Sequence, residues 1–314
     1  MAKNNLSLRH RLGRFELVRH RVLYLMVLPA FLYVLIYGYL TLPYLVIAFE
    51  KYNFRTGLLS QWIGLKNFEH FFRSTWAWTV TRNTIVMNLL FIVVVYTCSI
   101  TLALLLNEIR SRRFVKVSQS LILLPYFISW VIISYMVYGV LNSDTGALNK
   151  LMLRIGLVDR AVQYYSQANY WYVILVILRV WKYVGWTSII FLSAITGIDS
   201  SMYEAAYIDG ANRWKCTRYL TLPLLMPTLS VLVLIEIGRI FYGDFGMFYA
   251  VIKDNGALMP VTEVIDTYVF RTFKRTGQPS LSMAVGLYQS VVGFILVFTT
   301  NMLVRRYYPD GSLF

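Results

Sequence analysis

Four ionisable side chains stand inside otherwise apolar runs of this 314-residue sequence: Arg179 with Lys182, and Glu236 with Arg239. Members of each pair are three residues apart, which puts them on one face of a helix. A charge in hydrocarbon costs at least about 2.5–3.5 kcal/mol on insertion scales, so such residues face a partner or a water-filled path. Glu236 and Arg239 read first as a pair that neutralises itself within one helix. Arg179 and Lys182 have no acid nearby in sequence, and Trp181, Tyr183 and Trp186 accompany them. Bases attract carboxylates and aromatic faces stack on sugar rings. The chemistry these seven residues offer is therefore non-covalent recognition along a translocation pathway. An external anion is one partner that fits the two bases; snorkelling, or pairing with another helix, explains them equally well.

Covalent chemistry has no comparable candidate. His10, His20 and His70 lie outside the apolar runs and form no metal or catalytic cluster. No GxxxxGK[ST] loop and no Gly-Lys pair occurs, so a P-loop ATPase activity of the chain itself is not expected. Cys98 and Cys216 give no disulfide framework.

The elements that must position the four charges are membrane spans. The composition is 58% hydrophobic and 14% charged, against roughly 25% charged in soluble domains. Six apolar segments, at about 22–49, 82–106, 119–141, 170–195, 221–243 and 281–304, are each long enough to cross a bilayer. The expected fold is an all-α integral membrane protein with six transmembrane helices. It divides into a basic N-terminal arm 1–21, a six-span domain 22–304 and a tail 305–314. The formal charge of +15 is scattered around the apolar runs, which fits topology signals and membrane lipids, not nucleic acid. Lys and Arg are denser in 1–21, 107–118, 196–220 and 305–314 than in the alternate connections, so both termini are expected on the cytoplasmic side. The basic start is read as a retained arm, since the apolar run after it is too long for a signal-peptide core. In the outer connections, Trp62–Phe72 alternates aromatic and polar residues like an interfacial anchor, and 244–280 is longer than a turn requires.

The connection before the fifth segment is the most unusual. Glu204 to Asp209 reads helical, with Asp199, Ser200 or Ser201 available as an N-cap. Gly210 breaks that helix, and a second short helix is expected from about Asn212 to Tyr219. Leu222-Pro223 then opens the fifth span, where proline is tolerated in the first helical turn. A helix–turn–helix across the cytoplasmic span ends follows, either as a contact for another protein or as an amphipathic loop on the membrane surface.

Glu204-Ala205-Ala206, two residues, Asp209-Gly210-Ala211, then Leu222-Pro223 resembles the EAA motif of permease subunits in binding-protein-dependent ABC importers. Gly64–Phe68, Arg82–Thr84 and Val180–Trp186 resemble stretches of the carbohydrate-uptake branch, of maltose and oligosaccharide type, which implies an oligosaccharide cargo; an acidic, uronate-containing one would suit Arg179 and Lys182. The resemblance implies an EAA coupling loop (197–223) that seats in a cytoplasmic ATPase subunit. There Glu204 pairs with a base, Gly210 bends the chain and Leu222-Pro223 ties the loop to the fifth span. It also implies a second permease subunit as heterodimer partner, two ATPase subunits, an extracellular binding protein and a bacterial cytoplasmic membrane. The chain itself would bind no cofactor, with ATP and Mg used by the ATPase subunits. Tyr242–Phe273 resembles the region that receives substrate, where Asp244, Lys253, Asp254 and Glu263 are candidates to contact the binding protein. An ion-coupled secondary transporter of sugars is the alternative. It needs inverted repeats and mid-span carboxylates, of which Glu236 is the one clear example.

Glu204→Lys and Gly210→Pro are expected to uncouple transport while leaving membrane insertion intact. Substrate-stimulated ATPase activity of the reconstituted complex measures this, and normal stimulation in either variant contradicts the coupling role.

Overall fold

The structure is a computed structural model that describes residues 20–307. Most of the arm 1–21 and of the tail 305–314 lies outside the described residues. Five helical segments are long and apolar enough to cross a membrane: Arg21–Phe49, Thr75–Asn107, Tyr170–Thr196, Arg213–Gly238 and one beginning at Pro279. The expected third span is instead two helices, Arg112–Phe127 and Trp130–Leu141, meeting at 95°. Counted as one broken span, they complete the six.

The first span is regular from Arg21 to Val34 and then tightens through wide and 3₁₀ turns to Phe49. It leads into an antiparallel hairpin, β1 (Glu50–Asn53) and β2 (Gly57–Trp62), that hydrophobic periodicity did not announce. The aromatic stretch after it folds as a helix, Lys66–Arg73, which buries Phe71 against the bundle. Asn67 Nδ2 donates to the carbonyls of Ala48 and Glu50 at 2.8 and 3.0 Å, so this stretch clasps the end of the first span.

The second and fourth spans form the most extensive helix pair. The third packs on the fourth through Gly185, where any Cβ would collide with the backbone carbonyl of Ile122. Residues 82–84 clamp the long 244–280 connection onto the second span. Buried Asn83 donates to Pro260 O and Glu263 O at 3.0 and 3.1 Å, and Thr84 Oγ1 accepts from Ile265 N at 3.0 Å.

Two interruptions shape the middle of the bundle. Pro125, which has no N–H to donate, precedes the sharp bend in the third span. The carbonyls freed there are capped by Lys182, only 6% exposed. Its Nζ donates to Tyr126 O at 2.9 Å, to Pro125 O at 3.3 Å and to Ile128 O. The fifth span stops at Gly238, earlier than expected, and 239–244 run without regular helix before Phe245–Ala250. Asn88 Nδ2 donates to Ile240 O and Tyr242 O at 2.7 and 3.2 Å, and Gln289 Nε2 to Phe241 O at 2.6 Å. Gly243 N donates to Asp266 Oδ2 at 2.6 Å. Neighbouring spans thus supply the partners this backbone lacks, as irregular chain away from water requires.

Lys182→Met keeps the length of the side chain and removes its donors, leaving buried carbonyls unpaired at a cost of about 1–3 kcal/mol. A lower melting temperature in detergent is the expected result; Trp181→Phe, at a partly exposed position, should not show it.

Candidate translocation groove and coupling loop

The fourth span presents Arg179, Tyr183 and Trp186 at helical spacing along one stripe. They line a groove of about 550 Å³ together with Glu236, Arg239 and Asp244. Five of the seven residues singled out in the apolar runs therefore meet in one place. The other two do not. Trp181 points to a separate apolar groove beside Ile133 and Ile177, and Lys182 is held by the carbonyls of the broken third span.

Charge pairing in the groove differs from the expectation. Glu236 and Arg239 do not neutralise each other. The helix ends between them, and among the described residues no ion pair joins them. Arg179 finds its acid 65 residues further along the chain, in Asp244, at 2.6 Å. Asp244 Oδ2 also accepts from Trp130 Nε1 at 2.9 Å and from Tyr183 OH at 3.1 Å. The Arg179 guanidinium lies 3.9 Å from the centroid of the Tyr183 ring, a cation–π contact. Arg239 is exposed in the groove and makes no ion pair among the described residues. Tyr126 stacks on Trp186, with ring centroids 4.8 Å apart and planes 10° from parallel. Tyr126, Trp130 and Asn88 escaped sequence reasoning. Asn88, an amide inside an apolar run, was the one that left a signal.

The coupling stretch folds much as its residues suggest. Asp199 caps Ser200–Ile208 by accepting from Ser201 N at 2.9 Å. Gly210 has φ +78°, the left-handed conformation that glycine enters cheaply, and Ala211 N closes the helix end on Ala206 O at 2.9 Å. Asn212 caps the next helix by accepting from Lys215 N at 2.9 Å. That second helix is not separate from the fifth span. Arg213–Cys216 continues through a wide turn, Thr217–Thr221, into Leu222–Gly238. The wide turn lies where the Pro223 ring would otherwise crowd the carbonyl four residues back. Tyr203 OH and Thr221 Oγ1 lie 3.0 Å apart, and Arg213 pairs with Glu108 at 2.8 Å. Glu204, Ala205, Asp209 and Gly210 are exposed, Ala206 and Ala211 half-buried, and Leu222 and Pro223 lie in the helix. Ile208, 86% exposed, forms an apolar tip.

Apolar helices, two of them interrupted at a polar, aromatic-lined groove, with a capped helix–turn–helix projecting beyond the ends of the spans, define a membrane permease. The chain belongs to the family described as binding-protein-dependent transport system inner membrane component, whose model matches residues 96–308. It is 35% identical over 297 residues to the polygalacturonan/rhamnogalacturonan transport system permease protein YteP of Bacillus subtilis, covering 94% of this chain and 91% of that one. It resembles a chain in the crystal structure of a bacterial ABC transporter involved in the import of the acidic polysaccharide alginate. There the TM-score is 0.85 with 30% identity, covering 95% of this chain and 99% of the other. A second structure, of the bacterial alginate ABC transporter with its alginate pentasaccharide-bound periplasmic protein, matches with a TM-score of 0.83 and 30% identity over 93% and 96% of the two chains.

Of the four candidates for binding-protein contact, Lys253 is the one whose side chain is open to the surface. Its ammonium lies 3.4 Å from the centroid of the Tyr138 ring. Asp244 is held in the groove. Asp254 and Glu263 share Arg271, at 2.9 and 2.7 Å, and Asp254 also meets Arg275. Burial, opposed by the attraction of Arg271, pushes the Glu263 carboxyl from its ordinary 4.5 up to about 7. The folded chain then binds this proton more tightly than the unfolded chain does. The stabilisation it brings is full below about pH 4.5 and is lost as pH rises through about 7. Melting temperatures in detergent should fall across that window in the parent chain, and Glu263→Gln should flatten the dependence.

Proposed function

We propose that this chain is one of two permease subunits enclosing a pathway for an acidic oligosaccharide. The sugar is handed over by an extracellular binding protein, and two cytoplasmic ATPase subunits drive its import with ATP and Mg. The reading places the chain in a bacterial cytoplasmic membrane with both termini and the 197–223 loop on the cytoplasmic side. One observation carries the cargo assignment: an exposed guanidinium, Arg239, shares a groove with the stacked Tyr126–Trp186 platform. Flat aromatic faces suit the C–H faces of sugar rings, and a guanidinium suits a carboxylate, which it grips with two parallel hydrogen bonds. Similarity to permeases named for polygalacturonan and alginate points to the same chemistry.

Transmission follows from the continuity of Arg213–Gly238. Glu204, Ala205, Ala206, Asp209, Gly210 and Ala211 offer the ATPase a small-residue surface with two acids. Arg213 begins the helix whose far end carries Glu236 and borders Arg239. Closure of the ATPase pair moves that helix as a lever, and the groove opens to one side or the other.

Proteoliposomes containing the complete complex test this. ATP-dependent uptake of a uronate oligosaccharide is expected, with uptake of a neutral oligosaccharide of equal length much weaker. Arg239→Ala should raise the KM for the uronate roughly tenfold, the value of one charge-assisted contact. Uptake driven by an ion gradient without ATP contradicts the importer reading, and equal uptake of both sugars contradicts the acidic cargo.

A further inference from the structure

Three donors, two of them lining the groove and the third, Trp130, behind it, converge on a single oxygen. Arg179 and Tyr183 reach it from the fourth span, and Trp130 from the start of the second half of the broken third span; all three donate to Asp244 Oδ2. Arg179 is held from the side by Tyr183 and lies 5.5 Å from the centroid of Phe91, so aromatic contacts fix the guanidinium independently of the acid. Such an arrangement is a receptor for a carboxylate, and the chain's own carboxylate fills it. Asp244 is not fixed there by the fourth span. It extends from the irregular segment 239–244, and its other oxygen, Oδ1, accepts from Met247 N at 3.3 Å to cap Phe245–Ala250. The side chains of Arg179 and Asp244 are each 18% exposed, and both line the groove, so a bound ligand reaches the pair.

We propose that Arg179, Tyr183 and Trp130 form the subsite for a substrate carboxylate, and that Asp244 occupies it until a uronate group replaces it. This rests on the acidic cargo proposed above and names the residues that select it. The three donors stay paired through the exchange, and its cost is that Asp244 gives them up and keeps Met247 N through Oδ1. It has a structural consequence. The Trp130–Asp244 bond ties the bend in the third span to the break in the fifth, and a substrate that takes the three donors severs that tie. Cargo occupancy is thereby read by the two interrupted spans, one of which carries the coupling loop at its other end.

Uptake kinetics of a uronate oligosaccharide in proteoliposomes of the complete complex test the exchange. Asp244→Asn keeps an oxygen for Met247 N and removes the competing charge, so KM should fall about tenfold. In the Asp244→Asn background, where no carboxylate of the chain competes, Tyr183→Phe removes one donor from the substrate alone, and KM should rise about tenfold. Opposite shifts at two residues bonded to each other are not produced by a shared structural defect. If Asp244→Asn does not assemble, Asp244→Ser takes its place, since a serine hydroxyl can also accept from Met247 N and carries no charge. Shifts in the same direction, or no shift, overturn the subsite. Failure of the parent complex to import the uronate at all overturns the cargo class instead.

Discussion

A backbone carbonyl in hydrocarbon must have a donor, and this fold is organised around the two places where a helix stops supplying one. At the bend of the third span Lys182 provides three bonds at once. At the break of the fifth, Asn88, Gln289 and Asp266 pair four consecutive residues, 240–243. Each donor or acceptor comes from a different span or from the 244–280 connection, so the breaks hold the bundle together as much as they interrupt it. Removing a polar partner there leaves a group that neither lipid nor water satisfies.

The same interruptions create the groove. A continuous fifth helix would carry Glu236 and Arg239 on one face as an ion pair. Ending at Gly238, it releases Arg239 and lets 239–244 cross back toward the fourth span, which brings Asp244 to Arg179. A continuous third helix would not turn Trp130 toward the same carboxylate. Broken helices near the middle of a bundle are a recurrent way for transporters to expose polar groups to cargo. Here the break also ends a long continuous element. Arg213–Gly238 spans 26 residues, about 39 Å at 1.5 Å per residue, and joins the 197–223 loop to the groove as one element.

Much of this was legible from residue types and spacing. Hydrophobic length revealed the spans, because crossing a bilayer imposes a minimum run of apolar residues. Cap and break chemistry revealed a helix over Glu204 to Asp209, an N-cap among Asp199, Ser200 and Ser201, and the Gly210 stop, because those signals act within a few residues. Arg179, Tyr183 and Trp186 shared a stripe as helical spacing requires. Charge partners were not legible. Arg179 and Lys182, three apart and chemically alike, looked equivalent; one meets a carboxylate from after the fifth span and the other meets carbonyls of the third. The hairpin Glu50–Trp62 also escaped, since a two-stranded element of mixed polarity has no strong periodicity.

By itself, then, the sequence determined what local physics and the bilayer dictate: an all-α membrane protein, its apolar segments, the capped loop that ends in Leu222-Pro223, and the residues too polar to sit in lipid unpartnered. Only the tertiary structure decided which of those polar residues serve the backbone and which face the groove. The reason is that burying a charge or an orphan carbonyl is costly whatever its neighbours in sequence. The partner that relieves the cost is whichever side chain folding brings within about 3 Å, and for Arg179 and Lys182 those partners lie 54 to 65 residues away.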